Sequence, residues 1–434
     1  MVNIKNTNSF SRSNKLYKRA IKSIPLATQT FSKSSLQWPL GVSPMFIKKG
    51  KGCTIYDIDN NKYIDYLLAL MPIILGYGDT DVNNAVKRQM RDGVVFSMSH
   101  PIELKLAEQL IKIIPYAEMV RFGKNGSDAL SAAIRLARAY TKKDNILVSG
   151  YHGWHDWYIG STTRDLGVPK VVKNLTKTFI FNDLDSLKTI LKKYNYNFAA
   201  LVIEPDGFVS PNANYLKDVR ALCDKYGIIL IFDEIVCGFR TNLGGAAKEY
   251  GVNADLGCFG KALANGYPLS ALVGKREIMD NMNHVFVSGT FSGETLSLAA
   301  ALATLDKLKK EDVPNKLKVL GKKLYKKSNN IINNKGFSDI IKFEGNYWWP
   351  RLLVKDSPIE NNVFTTLLRQ QLIANGLFMG SSYNLCLAHT KKDIFNSTVN
   401  SFNQTLDDMH HILNSDDPKK FIKGSLIKPV FKVR

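Results

Sequence analysis

Two groups in the sequence suit each other chemically: the amine of Lys261, within Phe259-Gly-Lys-Ala262, and the carboxylate of Asp233, at the end of Ile228-Ile-Leu-Ile-Phe-Asp-Glu234. The second segment is an unbroken apolar run halted by two acids. That is the pattern of a strand buried on both faces of a parallel sheet, with its C-terminal end opening into a site. Ligands of open α/β sheets collect at that end. Lys261 follows another short apolar strand, Leu256–Phe259, with glycines that let the backbone approach something bulky. Delivered to one rim, an amine and a carboxylate suit Schiff-base chemistry on pyridoxal phosphate (PLP). Taken singly, the lysine reads as a solvated side chain and the acid pair as a turn cap. The reading therefore needs a phosphate cradle, an aromatic face for the ring and a partner contact.

Gly126-Ser127-Asp128 sits where a strand, Met119-Val-Arg-Phe122, hands over to a helix. Unpaired N–H groups, the positive helix end and a hydroxyl bind a phosphate dianion there, although Ser and Asp are equally good helix caps. The next strand ends in Gly150-Tyr-His-Gly-Trp-His-Asp-Trp157, an aromatic cluster bracketed by glycines. Tyr151 is the candidate stacking face. Trp154, His155 and Trp157 are candidates for substrate contact, with core packing the alternative for the two tryptophans.

These segments imply the elements that position them. From Glu118 the pattern is strand, turn, helix, repeated. Strands are expected at Met119–Phe122, Asn145–Ser149, Phe198–Ile203, Ile228–Phe232, Leu256–Phe259 and Leu269–Val273. Helices are expected after Ser127, where Ala129, Ala132, Ala133, Leu136, Ala137 and Tyr140 share a face, and at Tyr215–Tyr226 and Glu294–Leu308. Such alternation predicts an α/β fold with a mostly parallel central sheet and helices on both faces. Upstream lie a short helix around Asn14–Ser23, a hairpin turning at Asn60-Asn61-Lys62, and helices at Thr80–Asp92 and Pro101–Ile114. After about residue 315 come a lysine-rich helix, Lys316–Asn330, strands at Asp339–Glu344 and Trp348–Val354, and a helix at Glu360–Ala374. A final helix begins with a capping box, Thr390-Lys-Lys-Asp393, and turns Ile394, Val399, Phe402, Leu406, Met409 and Ile412 inward. The expected division is 1–75, an arm and hairpin belonging to a small domain, 76–315, the large cofactor domain, and 316–434, the rest of a small α+β domain with a basic tail.

The 434 residues carry a formal charge of +21. A field of that sign concentrates anions. The lysines are spread along the chain without an arginine-rich or aromatic-basic block, which argues against nucleic acid. No apolar stretch reaches the ~20 residues of a membrane span. Five cysteines without C-x-x-C spacing point to a reducing, cytoplasmic setting, and no metal site is expected.

Val120-Arg-Phe-Gly-Lys-Asn-Gly-Ser-Asp-Ala129, Arg135–Ala139, Tyr151-His-Gly153, Phe232-Asp-Glu-Ile-Val-Cys-Gly-Phe-Arg240, Gly260-Lys-Ala262 and Ser288-Gly-Thr-Phe-Ser-Gly293 resemble class III aminotransferases among the fold-type I PLP enzymes. They stand nearest to glutamate-1-semialdehyde 2,1-aminomutase, and Leu387-Ala-His-Thr390 is similar to its C-terminal domain. The resemblance implies that Lys261 forms the Schiff base and later shuttles a proton, and that Asp233 keeps the pyridine nitrogen protonated. It places Tyr151 and Val236 on the two ring faces and Gly126 and Ser127 on the phosphate. It makes Thr290 reach the neighbouring subunit's cofactor, hence a homodimer with shared active sites. The cradle departs from Asn-Ser-Gly-Thr-Glu, keeping a hydroxyl and an acid. The loop Asp206–Pro211 is shorter than the aminomutase's, Asn384 replaces a gating glutamate, and Lys33 is the only cation where an arginine holds the semialdehyde carboxylate. These departures favour an aminotransferase acting on another carbonyl acceptor, with an amino acid, glutamate, as donor; the pattern resembles that of proteins encoded with surface-polysaccharide genes, which implies a keto-sugar or sugar-nucleotide acceptor. Asn384 joins the candidate substrate contacts. Glutamate-1-semialdehyde aminomutase, a racemase, and a basic binding protein on the same scaffold are the alternatives.

Overall fold

The computed structural model describes residues 8–428. The chain divides into two compact units: one runs from Thr80 to Asn315, and the other takes the chain up to Asp79 and resumes at Lys316.

In the first unit seven strands form one sheet, in the order Met119–Gly123, Ser270–Gly274, Leu256–Phe259, Ile229–Glu234, Ala200–Ile203, Ile146–Ser149, Thr176–Thr178. All neighbours are parallel except Ser270–Gly274, which is antiparallel to both of its partners. The strands Ile146–Ser149, Ala200–Ile203, Ile229–Glu234 and Leu256–Phe259 are buried at every position, which is why their sequences show continuous apolar runs. Thr176–Thr178 was not expected. Its Thr-Lys-Thr sequence suits a short, polar edge strand and carries no apolar signal. Helix Gly126–Thr141 buries Ala129, Ala132, Ala133, Leu136 and Ala137 against the sheet core, while Tyr140, in its last turn, stays 39% exposed. Helices Tyr215–Tyr226 and Thr295–Lys310 fall where periodicity puts them.

In the other unit the hairpin Thr54–Asp57 and Lys62–Asp65 is extended by Ile47–Lys51, antiparallel, and by Leu377–Phe378, parallel to Lys62–Asp65. Neither addition is legible: Ile47-Lys-Lys-Gly-Lys51 lacks apolar alternation and the other strand has two residues. Ile341–Glu344 pairs with Arg351–Val354, and the helices include Ser11–Ala20, Asn361–Ala374 and Lys392–Leu413. The expected capping box at Thr390 does not form. The Thr390 hydroxyl donates instead to the Leu387 carbonyl at 2.8 Å, closing a short turn, and Lys391 becomes the N-cap. The basic tail, up to Lys428, lies along earlier segments of this unit. Ser425 N–H donates to Leu40 O at 3.0 Å, Lys428 N–H to Leu36 O at 2.7 Å and Lys423 N–H to Gln370 Oε1 at 2.9 Å. Residues 429–434 lie outside the described residues.

All five cysteines are buried and unpaired. Among the described residues no helix is long and apolar enough to cross a membrane.

Candidate active site

Asp233 and Lys261 leave adjacent parallel strands at the same end. Asp233 pairs in register with Cys258 and Glu234 with Phe259, so Lys261 comes two residues beyond the last pair. Asp233 is 2% exposed. Its Oδ2 lies 2.8 Å from His152 Nδ1 and its Oδ1 accepts the Ile235 N–H at 3.1 Å. His152 Nε2 faces the Ser149 carbonyl at 3.1 Å, so the imidazole is held from both sides and fixes the direction of the carboxylate. His152 did not emerge as a site residue from sequence. The available signal was a polar ring between Tyr151 and Gly153, directly after a buried strand.

Lys261 opens a short helical turn, Lys261–Ala264, with its own φ at 37°, the left-handed region that a non-glycine residue occupies at a cost of ~1–3 kcal/mol. Burial pushes its amine's pKa down, opposed by the negative charges of Glu204 and Asp233 and reinforced by the Arg240 guanidinium. An amine short of protons is the nucleophilic form that Schiff-base chemistry needs.

At the helix start, Asp128 does the capping: its Oδ2 accepts the N–H groups of Asn125 at 2.8 Å and Lys124 at 3.1 Å. This leaves the backbone N–H groups of Gly126 and Ser127 without protein partners among the described residues, beside the Ser127 hydroxyl. The hydroxyl accepts only a long bond, from Trp154 N–H at 3.4 Å. Of the two readings of this turn, the capping role belongs to Asp128 and the donor set fits an anion. Gly153 must be a glycine here, since a Cβ would sit 2.2 Å from Ser127 Oγ and its φ is +96°. A Cβ on Gly126 would press on Ile235 at 3.0 Å.

Tyr151 is 47% exposed, its ring edge-on to Tyr158 at 5.7 Å, and burial together with the charges of Asp233 and Glu204 raises its pKa. Val236 is half-buried, and its carbonyl accepts from Arg240 Nη1 at 2.9 Å. Trp154 is 69% exposed. His155 precedes the short helix Asp156–Ile159, with Nδ1 2.6 Å from Ser131 Oγ. Trp157 belongs to the core cluster, its indole N–H donating to the same Ser131 hydroxyl at 2.9 Å. Thr290 is exposed and lines a cavity of about 320 Å³ with Gly123, Lys124 and Ser288. Lys124 is tied to Glu294 at 3.0 Å. Asn384 belongs to the other unit, where it is buried and its amide is bonded at both ends. Its Oδ1 accepts from Trp349 Nε1 at 2.6 Å and Ser382 Oγ at 2.9 Å, and its Nδ2 donates to Leu67 O at 3.0 Å.

Glu234 follows Asp233 at the end of the same strand. Fully buried, it accepts the Ala246 N–H at 2.7 Å and contacts Cys237 Sγ at 3.2 Å. Burial raises its pKa from 4.5 to about 7.

The sheet and its flanking helices are those of a fold-type I PLP enzyme, and a lysine amine, a buried carboxylate and an unpaired helix N-terminus gather at one rim of it. The chain belongs to the class III aminotransferases, a PLP-dependent enzyme family: residues 39–347 match the family described as Aminotransferase class-III. It is 36% identical over 386 residues to the 3-aminobutyryl-CoA aminotransferase of Cloacimonas acidaminovorans, covering 86% of this chain and 91% of that one. It is 34% identical over 383 residues to the glutamate-1-semialdehyde 2,1-aminomutase of Francisella philomiragia, covering 81% and 88%. Among solved structures, the FumI protein of Sphingopyxis sp. MTA144 in its PLP internal aldimine form superposes with a TM-score of 0.87 at 26% identity, covering 95% of this chain and all of that one.

Asp233→Asn removes a charged acceptor at the end of the central strand, and PLP affinity, read by fluorescence titration, falls about 10- to 100-fold. Glu234 binds its proton more tightly folded than unfolded, so stability declines as pH rises from 4.5 toward about 7. Glu234→Gln should flatten that decline in urea-unfolding midpoints measured across the range, whereas an unchanged slope would assign it to other groups.

Proposed function

We propose that this aminotransferase moves an amino group from an amino-acid donor, glutamate, to a carbonyl acceptor, with 80–315 as its cofactor domain and the remainder as its small domain. The observation that supports this best is the delivery of Asp233 and Lys261 to one rim by adjacent parallel strands, beside an unpaired helix N-terminus. PLP bound there supplies an electron sink for the bond broken at the substrate carbon.

The chain's own residues do the rest. The Lys261 amine holds the cofactor and, once released by the incoming amine, carries a proton. Asp233, aimed by His152, faces the ring nitrogen and favours its protonated form. Tyr151 and Val236 flank the ring, while the N–H groups of Gly126 and Ser127 and the Ser127 hydroxyl take the phosphate. Thr290, on an exposed segment, reaches the cofactor of a second copy, which makes the working unit a homodimer in a reducing, cytoplasmic compartment. Sedimentation should then give twice the 48.7 kDa chain mass, and a monomer in the presence of PLP would remove Thr290 from the site.

Relatives of comparable identity are named for 3-aminobutyryl-CoA and for glutamate 1-semialdehyde, so the 3-oxo counterpart of the first and the second itself enter the acceptor test beside a keto-sugar. Trp154 and His155, three and four residues beyond Tyr151, are the first to mutate for acceptor choice. The test incubates PLP-loaded protein with glutamate and follows conversion of the released cofactor to pyridoxamine phosphate, then its return with each acceptor. Conversion with glutamate is expected. No conversion with any donor amino acid would reject transamination, and turnover of glutamate 1-semialdehyde alone would favour the aminomutase.

A further inference from the structure

Ser288-Gly-Thr-Phe291 is a short tip in the large unit, exposed at all four residues. The Thr290 hydroxyl has no hydrogen-bond partner among the described residues. An exposed loop with few buried contacts has little of its own to hold it in one place. What holds this one lies at its two ends.

Before the tip, Val285 and Val287 are half-buried against the core cluster that includes the apolar face of helix Gly126–Thr141. Two guanidiniums grip consecutive carbonyls there. Arg121 Nη2, from strand Met119–Gly123, donates to Val287 O at 2.7 Å, and Arg135 Nη1, from helix Gly126–Thr141, donates to Phe286 O at 2.6 Å. Neither guanidinium forms an ion pair among the described residues, so both are committed to these carbonyls. A charge-assisted bond to a main-chain oxygen fixes the backbone whatever side chain it carries. After the tip, Glu294 caps helix Thr295–Lys310 by accepting the Leu296 N–H at 2.6 Å, and it pairs with Lys124 at 3.0 Å. The strand and helix that lead to and carry Gly126 and Ser127 therefore also set where Thr290 stands.

We infer that Arg121 and Arg135 are positioning residues of the active site: by holding the Val287 and Phe286 carbonyls they present Thr290 to the cofactor of a second copy of the chain. The inference rests on the reading of Thr290 as the residue that crosses between subunits. Because the two arginines act through the tip, their substitution is felt in the neighbour's site and spares their own.

Hybrid dimers separate the two sites. Two differently tagged chains are co-expressed and the mixed dimer is isolated on both tags. Lys261→Ala in one chain leaves a single Lys261 for borohydride to link to PLP, and its labelling is titrated against PLP concentration by peptide mapping. With Arg121→Gln and Arg135→Gln on the Lys261→Ala chain, the surviving site receives Thr290 from the altered chain. Half-labelling should then need about ten times more PLP, the scale of one hydrogen bond to a charged group. With both Gln substitutions on the chain that keeps Lys261, the surviving site receives an unaltered tip and the midpoint should stay with the parent. Thr290→Ala on the Lys261→Ala chain is the control for the reading beneath the inference, and it should also weaken labelling. If that control costs nothing, or no dimer forms, the reading of Thr290 fails and the inference falls with it. If the control weakens labelling but the Gln pair does not, or the Gln pair weakens it equally in both placements, the inference alone is overturned. Should the double substitution not fold, each single Gln variant is read in the same two placements.

Discussion

The parallel pairing of Ile229–Glu234 with Leu256–Phe259 is the constraint on which the large unit's chemistry depends. Side chains alternate across a strand, so a slip of one residue would turn Asp233 away from the rim and bring Glu234 there instead. What prevents the slip is burial. Both strands are covered on both faces by apolar side chains, and the two acids occupy opposite environments that cannot be exchanged. Asp233 meets His152, and Glu234 meets the N–H of Ala246.

That constraint gathers charge in a place that disfavours it. Buried ionisable groups shift toward their neutral forms unless partners compensate. Here the burial of Lys261 is offset by Glu204 and Asp233. His152, in turn, orients Asp233 while its other nitrogen rests on a backbone carbonyl. The start of helix Gly126–Thr141 follows the same economy of donors. Asp128 satisfies the two N–H groups upstream of the helix, which leaves the first helical N–H groups pointing outward with a hydroxyl beside them.

Much of this was legible in the sequence because the signal and the physics coincide. Strands buried on both faces must be continuously apolar, so Ile146–Ser149, Ala200–Ile203 and Leu256–Phe259 announced themselves, as did the alanine face of Gly126–Thr141. What was hidden depends on strand order or on packing. His152 meets Asp233, 81 residues away, because Ile146–Ser149 lies only one strand removed from Ile229–Glu234, and no local pattern records that order. Trp157 reads as a rim aromatic or a core ring, and the structure packs it in the core cluster with its indole N–H on half-buried Ser131. Asn384 reads as a substitution in a substrate pocket, yet its amide has a partner at each end. Polar or very short strands such as Thr176–Thr178 and Leu377–Phe378 owe their pairing to neighbours already in place.

The central claim is that one pyridine ring lies between Asp233 and Lys261. Borohydride reduction of PLP-treated protein, followed by peptide mapping, tests it most directly. The account predicts a phosphopyridoxyl group on Lys261 and on no other of the chain's lysines. Reduction that labels a different lysine, or none while PLP stays bound, would contradict it.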